Sequence, residues 1–201
     1  MLLLVGLGNP GSDYAGHRHN LGFVALERIA RKFGFAQAKK RFHGQVAEGE
    51  IAGQRALALR PLTYMNDSGI AVGEAVRFYH LEPNEIVVFH DELDLELGKV
   101  RVKHGGGAGG HNGLRSIDAH IGPHYRRVRL GIGHPGEKAR VHGHVLSNIA
   151  KDEQPVIEAM IEAVVDCAEL LAAGEDEKFQ TRVALLTQPP KQKKPKADKA
   201  D

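Results

Sequence analysis

The chain holds a single cysteine, so Cys167 closes no internal disulfide and joins no multi-cysteine metal or iron–sulfur site. It falls within an apolar helical pattern and reads as core, not as a nucleophile. Long apolar runs are also missing, and none approaches the roughly 20 residues that cross a bilayer. The opening Met-Leu-Leu-Leu-Val has no basic residues ahead of it and meets Gly6 too early for a secretory leader, so a cytoplasmic protein is expected. Neither sign of charge dominates: 27 Lys and Arg against 25 Asp and Glu give a net charge of +2, which does not announce a nucleic-acid binder. Gly-x-Ser-x-Gly is absent, and with it the nucleophile elbow. No His-Glu-x-x-His sets up a helical zinc site. If the protein is a hydrolase, water is the expected nucleophile.

What is present suits one domain with a full core, since 201 residues is about the size at which a single domain is the default. Residues 2–7 read as a buried strand stopped by Gly8-Asn9-Pro10-Gly11. Residues 21–33 carry apolar side chains at helical spacing and end at Gly34. Two strands are expected at 45–51 and 55–59, a helix from about Asn66 to Tyr79, and strands at 85–89, 100–103 and 128–132, with a short helix at 114–121. The clearest helix is 155–172, whose stripe of Val156, Ile157, Met160, Ile161, Val164, Val165, Ala168 and Leu171 is core packing. Strands alternating with helices, plus one run of consecutive strands, imply an α/β fold: a single domain with a mixed, mostly parallel twisted sheet covered by helices on both faces. The expected domain is 1–187. Residues 188–201 form a Lys- and Pro-rich tail without apolar residues, expected to be disordered.

Four polar segments follow strands or open helices. Gly6-Leu7-Gly8-Asn9-Pro10-Gly11 fits the dinucleotide fingerprint in letter only, because Pro10 removes a donor and no helix opens at once. It reads better as a tight turn beside a ligand, with Asn9 offering a donor and an acceptor. His17-Arg18-His19-Asn20 precedes a helix, where the positive end of the dipole disfavours protonation and suits a general base. The bland reading is a cap or surface residue, since the chain has 12 histidines. His90-Asp91-Glu92-Leu93-Asp94 lies at a strand's carboxyl end, where a carboxylate can orient an imidazole; Mg²⁺ held by the three acids is the alternative. Gly105-Gly106-Gly107-Ala108-Gly109-Gly110-His111-Asn112-Gly113 is costly in entropy, which favours close approach to a large ligand or a lid. No Lys-Ser or Lys-Thr follows it, so it is not a Walker loop. Basic residues cluster at 39–41, 99–104 and 124–129. The first cluster reads as a solvated face, whereas the other two flank glycine-rich segments and can draw phosphates.

Together these segments resemble the bacterial peptidyl-tRNA hydrolase family. The likeness rests on residues 6–11, Tyr14 with Arg18-His19-Asn20, Pro61-Leu62-Thr63-Tyr64-Met65-Asn66, residues 90–94, residues 109–113 and Arg129-Leu130-Gly131-Ile132-Gly133-His134-Pro135-Gly136, all in family order. The resemblance implies a monomeric esterase, without metal or cofactor, that cuts the peptide from the 3′ ribose of a tRNA. His19 would be the catalytic base and Asp91 its partner. Asn9, Asn66, His111 and Asn112 would hold the peptide and the ester carbonyl, with Tyr14 and Met65 shaping the cleft. Lys103 and Arg129, with Arg101 beside them, would grip the tRNA 5′-phosphate. On this reading activity rises with pH as an imidazole loses its proton, ordinarily at about 6.5. His17 stands where the family usually has Thr, and the basic tail lies outside the family's core pattern. Two other classes remain open: a non-catalytic RNA- or nucleotide-binding module, which would not need His19 or Asp91, and a Mg²⁺-dependent phosphoester hydrolase built on Asp91, Glu92 and Asp94.

Overall fold

The computed structural model describes residues 1–188. Seven strands form one sheet: β1 (Leu2–Gly6), β2 (Lys39–Arg41), β3 (Gly44–Ile51), β4 (Gln54–Pro61), β5 (Ile86–Glu92), β6 (Val100–His104) and β7 (Arg126–Gly131). Their order is β2-β3-β4-β1-β5-β7-β6. The central strands β4, β1, β5 and β7 run parallel, while β2, β3 and β6 add antiparallel edges. The sheet is mixed, as expected, with its parallel part at the centre.

Strand alternation explains the two covering layers, because successive side chains point to opposite faces. Leu2 and Leu4 of β1, with Val87 and Phe89 of β5, enter one core; Leu3 and Val5, with Ile86 and Val88, enter the other. The first core is closed by α1 (Leu21–Lys32), α5 (Gln154–Asp166), α6 (Ala168–Ala172) and α7 (Asp176–Leu186). The second is closed by α2 (Ser68–Tyr79) and α3 (Asn112–Ile121). A short α4 (Val141–Val145) buries Val145 in the first core.

Several expectations are corrected. The single helix expected at 155–172 is two, because the backbone at Cys167 turns to φ −97°, ψ 4° and restarts as α6. The apolar stripe continues across that break, except that Val156 is exposed. β5 does not stop at Phe89: His90, Asp91 and Glu92 pair with Arg129, Leu130 and Gly131 of β7, because ladder hydrogen bonds hold polar residues in a strand as readily as apolar ones. The helix expected at 114–121 starts at Asn112. β2, α4 and α7 were not anticipated. Lys39, Lys40 and Arg41 form a short edge strand with all three side chains exposed, the solvated role expected for them, and Lys on an edge discourages further strand pairing. The tail expected from residue 188 lies, beyond Gln188, outside the described residues.

The cluster at 124–129 is corrected most. Arg126 and Arg127 are buried, not presented to phosphate. Arg126 pairs with Asp176 at the start of α7 and donates to Leu171 O. Arg127 donates to Gly107 O at 2.8 Å and Gly106 O at 2.6 Å, and stacks on Tyr125. A guanidinium has five donors in a fixed fork, so it can satisfy loop carbonyls that no strand reaches.

Candidate active site

The approach of α1 to the sheet sets the site. Leu7 N donates to Phe89 O, and Phe23 N donates to Leu7 O. A Cβ on Gly22 would lie 2.3 Å from Phe89 O, and one on Gly6 would lie 2.4 Å from Gly22 O. Glycine at both positions lets the helix touch the strand backbones. The turn just ahead of α1, Arg18–Asn20, is thereby pressed against the end of β5.

There His19 Nδ1 lies 2.9 Å from both carboxylate oxygens of Asp91, and both residues are buried. His111, the N-cap of α3, places Nε2 2.9 Å from Asp91 Oδ1. Burial works against a charged Asp91, but His111 and His19 outweigh it and hold the carboxyl well below the usual carboxylate range. An ionised Asp91 accepts from both imidazoles, so His19 carries its proton on Nδ1 and leaves Nε2 with a free lone pair. His111 Nδ1 accepts from Leu114 N at 3.4 Å, which fixes its proton on Nε2, towards Asp91. His90 packs edge-on against His111 and donates from Nδ1 to Asp91 O. Burial, above all, pushes the His90 imidazole down to about 3 and keeps it neutral.

His19, Asp91 and His111 are the group among the described residues whose donor atoms, all within 4.8 Å, could hold a metal. Metal on His111 Nε2 would force its proton onto Nδ1, against the Leu114 N–H, so hydrogen bonding accounts for the trio better. The acid trio fares worse. Asp91 faces the histidines, Glu92 accepts from Arg129 Nε at 2.8 Å, and Asp94 is exposed. Adjacent strand residues face opposite ways, which keeps Asp91 and Glu92 from converging.

The asparagines divide. Asn9 is buried and fixed on three sides: its N donates to Asn20 Oδ1, its O accepts from Asn20 Nδ2, and its Oδ1 accepts from Met65 N at 2.8 Å. Only Nδ2 is left to offer a ligand. Met65 is buried, with Sδ close against Gly113 at the start of α3. Asn112 is exposed at the cleft, and its Oδ1 accepts from Arg115 Nη1 at 3.2 Å. Asn66 is exposed beside Met65, and half-buried Tyr14 packs edge-on to Tyr64.

Of these groups Asn112 lines a cleft of about 460 Å³ whose floor holds His19, Asp91 and His111, whereas Asn9, Tyr14, Met65 and Asn66 lie outside its lining. Gly109 and Gly110 form one side, and Val141, His142 and Val145 another. That last wall escaped the sequence reading, although Gly133-His134-Pro135-Gly136 ahead of it was the visible signal. Arg101 and Lys103 are exposed on β6, opposite Arg129 and Arg127 of β7. Arg129 is tied to Glu92 at the cleft margin, so Arg101 and Lys103 are the freer cations of that edge.

The family model for peptidyl-tRNA hydrolase matches residues 3–195. The peptidyl-tRNA hydrolase of Rhodospirillum centenum is 58% identical over 191 residues, 95% of this chain and 84% of that protein. That of Parvibaculum lavamentivorans is 56% identical, covering 100% of this chain and 98% of its own. Among solved structures, peptidyl-tRNA hydrolase from Acinetobacter baumannii superposes with a TM-score of 0.87 at 45% identity, over 91% of this chain and 94% of that one. With the fold, the buried histidine–aspartate pair and these relatives in agreement, the chain belongs to the peptidyl-tRNA hydrolase family.

Proposed function

We propose that the chain performs the family's reaction, hydrolysis of the ester joining a peptide to the 3′ ribose of tRNA, by water activated at His19. The observation that carries this is the buried His19–Asp91 contact at 2.9 Å on the floor of an open cleft. His19 Nε2 takes a proton from water as the oxygen attacks the carbonyl carbon. Asp91 steadies the imidazolium that forms, and the proton then passes to the departing ribose oxygen. A positioned base contributes about 10²–10⁴-fold, enough for an ester, which is a more reactive target than an amide.

The family resemblance left Asn9, Asn66 and Asn112 together to hold the peptide and the ester carbonyl, an amide such as that of Asn66 being able to donate to the oxyanion. The geometry favours Asn9, because Met65 N holds its side-chain oxygen and Asn20 holds its backbone, with Nδ2 left over, whereas Asn66 is exposed. A donor already in place needs no reorganisation during the reaction. Asn66 and Asn112 then hold the peptide, the latter as a donor because Arg115 occupies its oxygen. His111 fixes Asp91, Met65 fixes Asn9, and Tyr14 against Tyr64 shapes the surface that the peptide follows beyond the cleft. Arg101, Lys103 and Arg129 take the tRNA 5′-phosphate at the adjacent sheet edge. The protein acts as a cytoplasmic monomer; among the described residues no helix is long and apolar enough to cross a membrane.

The test is peptide release from peptidyl-tRNA with EDTA present. Wild type should act rapidly. His19→Ala and Asp91→Asn should fall by about 10²-fold or more. Lys103→Ala should raise KM and flatten its dependence on salt, as expected for one lost phosphate contact. Full activity in folded His19→Ala would remove this mechanism.

A further inference from the structure

We infer that Arg18 is a positioning residue for this reaction, fastening one wall of the cleft to the turn that carries His19. The inference rests on His19 being the base. Arg18 directly precedes it and is buried. Arg18 Nη1 donates to Ser147 Oγ and to Asn148 O, each at 2.6 Å, and Nη2 pairs with the Glu153 carboxylate. The backbones join as well: Arg18 N donates to Ser147 O at 3.1 Å, and His17 bridges Asn148. The clamp reaches the cleft through Ser147, whose Oγ also donates to His144 O in α4. His142 and Val145 of that helix line the same cleft as His19. His144 Nε2 in turn donates to Ile132 O and Gly133 O beyond β7.

A buried ion pair alone says little about stability, because desolvation offsets the attraction. The number and direction of the bonds carry the inference. One planar fork meets a hydroxyl, a carbonyl and a carboxylate from one short segment, and so fixes distance and angle together. Lysine would keep the charge and lose the fork. The wall segment would then shift relative to His19, and a misplacement of about 1 Å can cost on the order of 10²-fold.

The experiment compares Arg18→Lys, Glu153→Gln and the double variant with wild type. Each is confirmed folded by circular dichroism and thermal midpoint. Two substrates are used: peptidyl-tRNA, and a peptidyl ester of adenosine that lacks the tRNA body. Arg18→Lys should lower kcat about 10- to 100-fold on both substrates, with KM within about threefold. Glu153→Gln should lower kcat less, and the double variant should be no worse than Arg18→Lys, since the two share one interaction. Folded Arg18→Lys with kcat within about threefold of wild type overturns the inference, as does a loss confined to KM on peptidyl-tRNA. If Arg18→Lys does not fold, Glu153→Gln decides by the same split. Loss of activity in Arg18→Lys means nothing for the base unless His19→Ala is also inactive, so an active His19→Ala marks failure of the underlying reading instead.

Discussion

At the scale of residues, the site is a chain of hydrogen bonds in which each group settles the next. Leu114 N fixes His111, His111 and His19 fix Asp91, and Asp91 leaves His19 Nε2 unprotonated, as the proposed base requires. His90 behind them is the residue whose cost is open to measurement. Its imidazole is held neutral down to about 3, whereas an unfolded chain protonates it at about 6.5. Between those values the unfolded state binds a proton that the native state refuses, so stability rises with pH across that window and is lost as pH falls. Denaturant unfolding between pH 7 and 5 should show His90 contributing a loss of about one kcal/mol per pH unit, and His90→Gln should have the shallower profile. Equal slopes would mean that burial does not hold His90 neutral. Above pH 5 Asp91 stays ionised in both states, because its own window begins below the ordinary carboxylate value of about 4, so it does not confuse the result.

At the scale of elements, the contact of α1 with β1 and β5 delivers the turn that carries His19. Gly22 sits where the helix touches the Phe89 carbonyl, and a methyl group there would meet backbone atoms that cannot swing aside. Gly22→Ala should cost about 1–3 kcal/mol or more, lower Tm by roughly 2–4 °C per kcal/mol, and reduce kcat by lifting His19 from Asp91. Thermal melts and kinetics on the same preparation would check it, and an unchanged Tm would show that the interface yields. The sequence marked Gly6 and Gly8 through their motif, but Gly22 lies inside an ordinary helical pattern, and only the packing gives it a role. The same holds for α7. Its pattern is mixed and polar, yet Phe179 and Val183 are fully buried and Asp176 neutralises buried Arg126.

At the scale of the whole molecule, those contacts predict where the folding unit ends. A chain ended after Gln188 should keep the wild-type Tm and kcat, because α7 is then complete. One ended after Gly174 exposes the seats of Phe179 and Val183 and leaves Arg126 buried without its carboxylate, and should not fold. Circular dichroism of the two truncations tests a folding unit of 1–187, and equal stability would displace that boundary. The sequence by itself determined the α/β class, the central strands and the polar motifs at their ends, because apolar periodicity and glycine punctuation are local properties of the chain. Asp91 and His19 could be paired from their motifs, though 72 residues separate them. Only the tertiary structure decided that Arg126 and Arg127 are structural while Arg101 and Lys103 stay free, that Asn9 is locked while Asn66 is exposed, and that Arg18 holds the cleft wall. Charge and donor type are written in the sequence, but burial and partner are set by elements that meet only on folding, and these choose which of several like residues does the work.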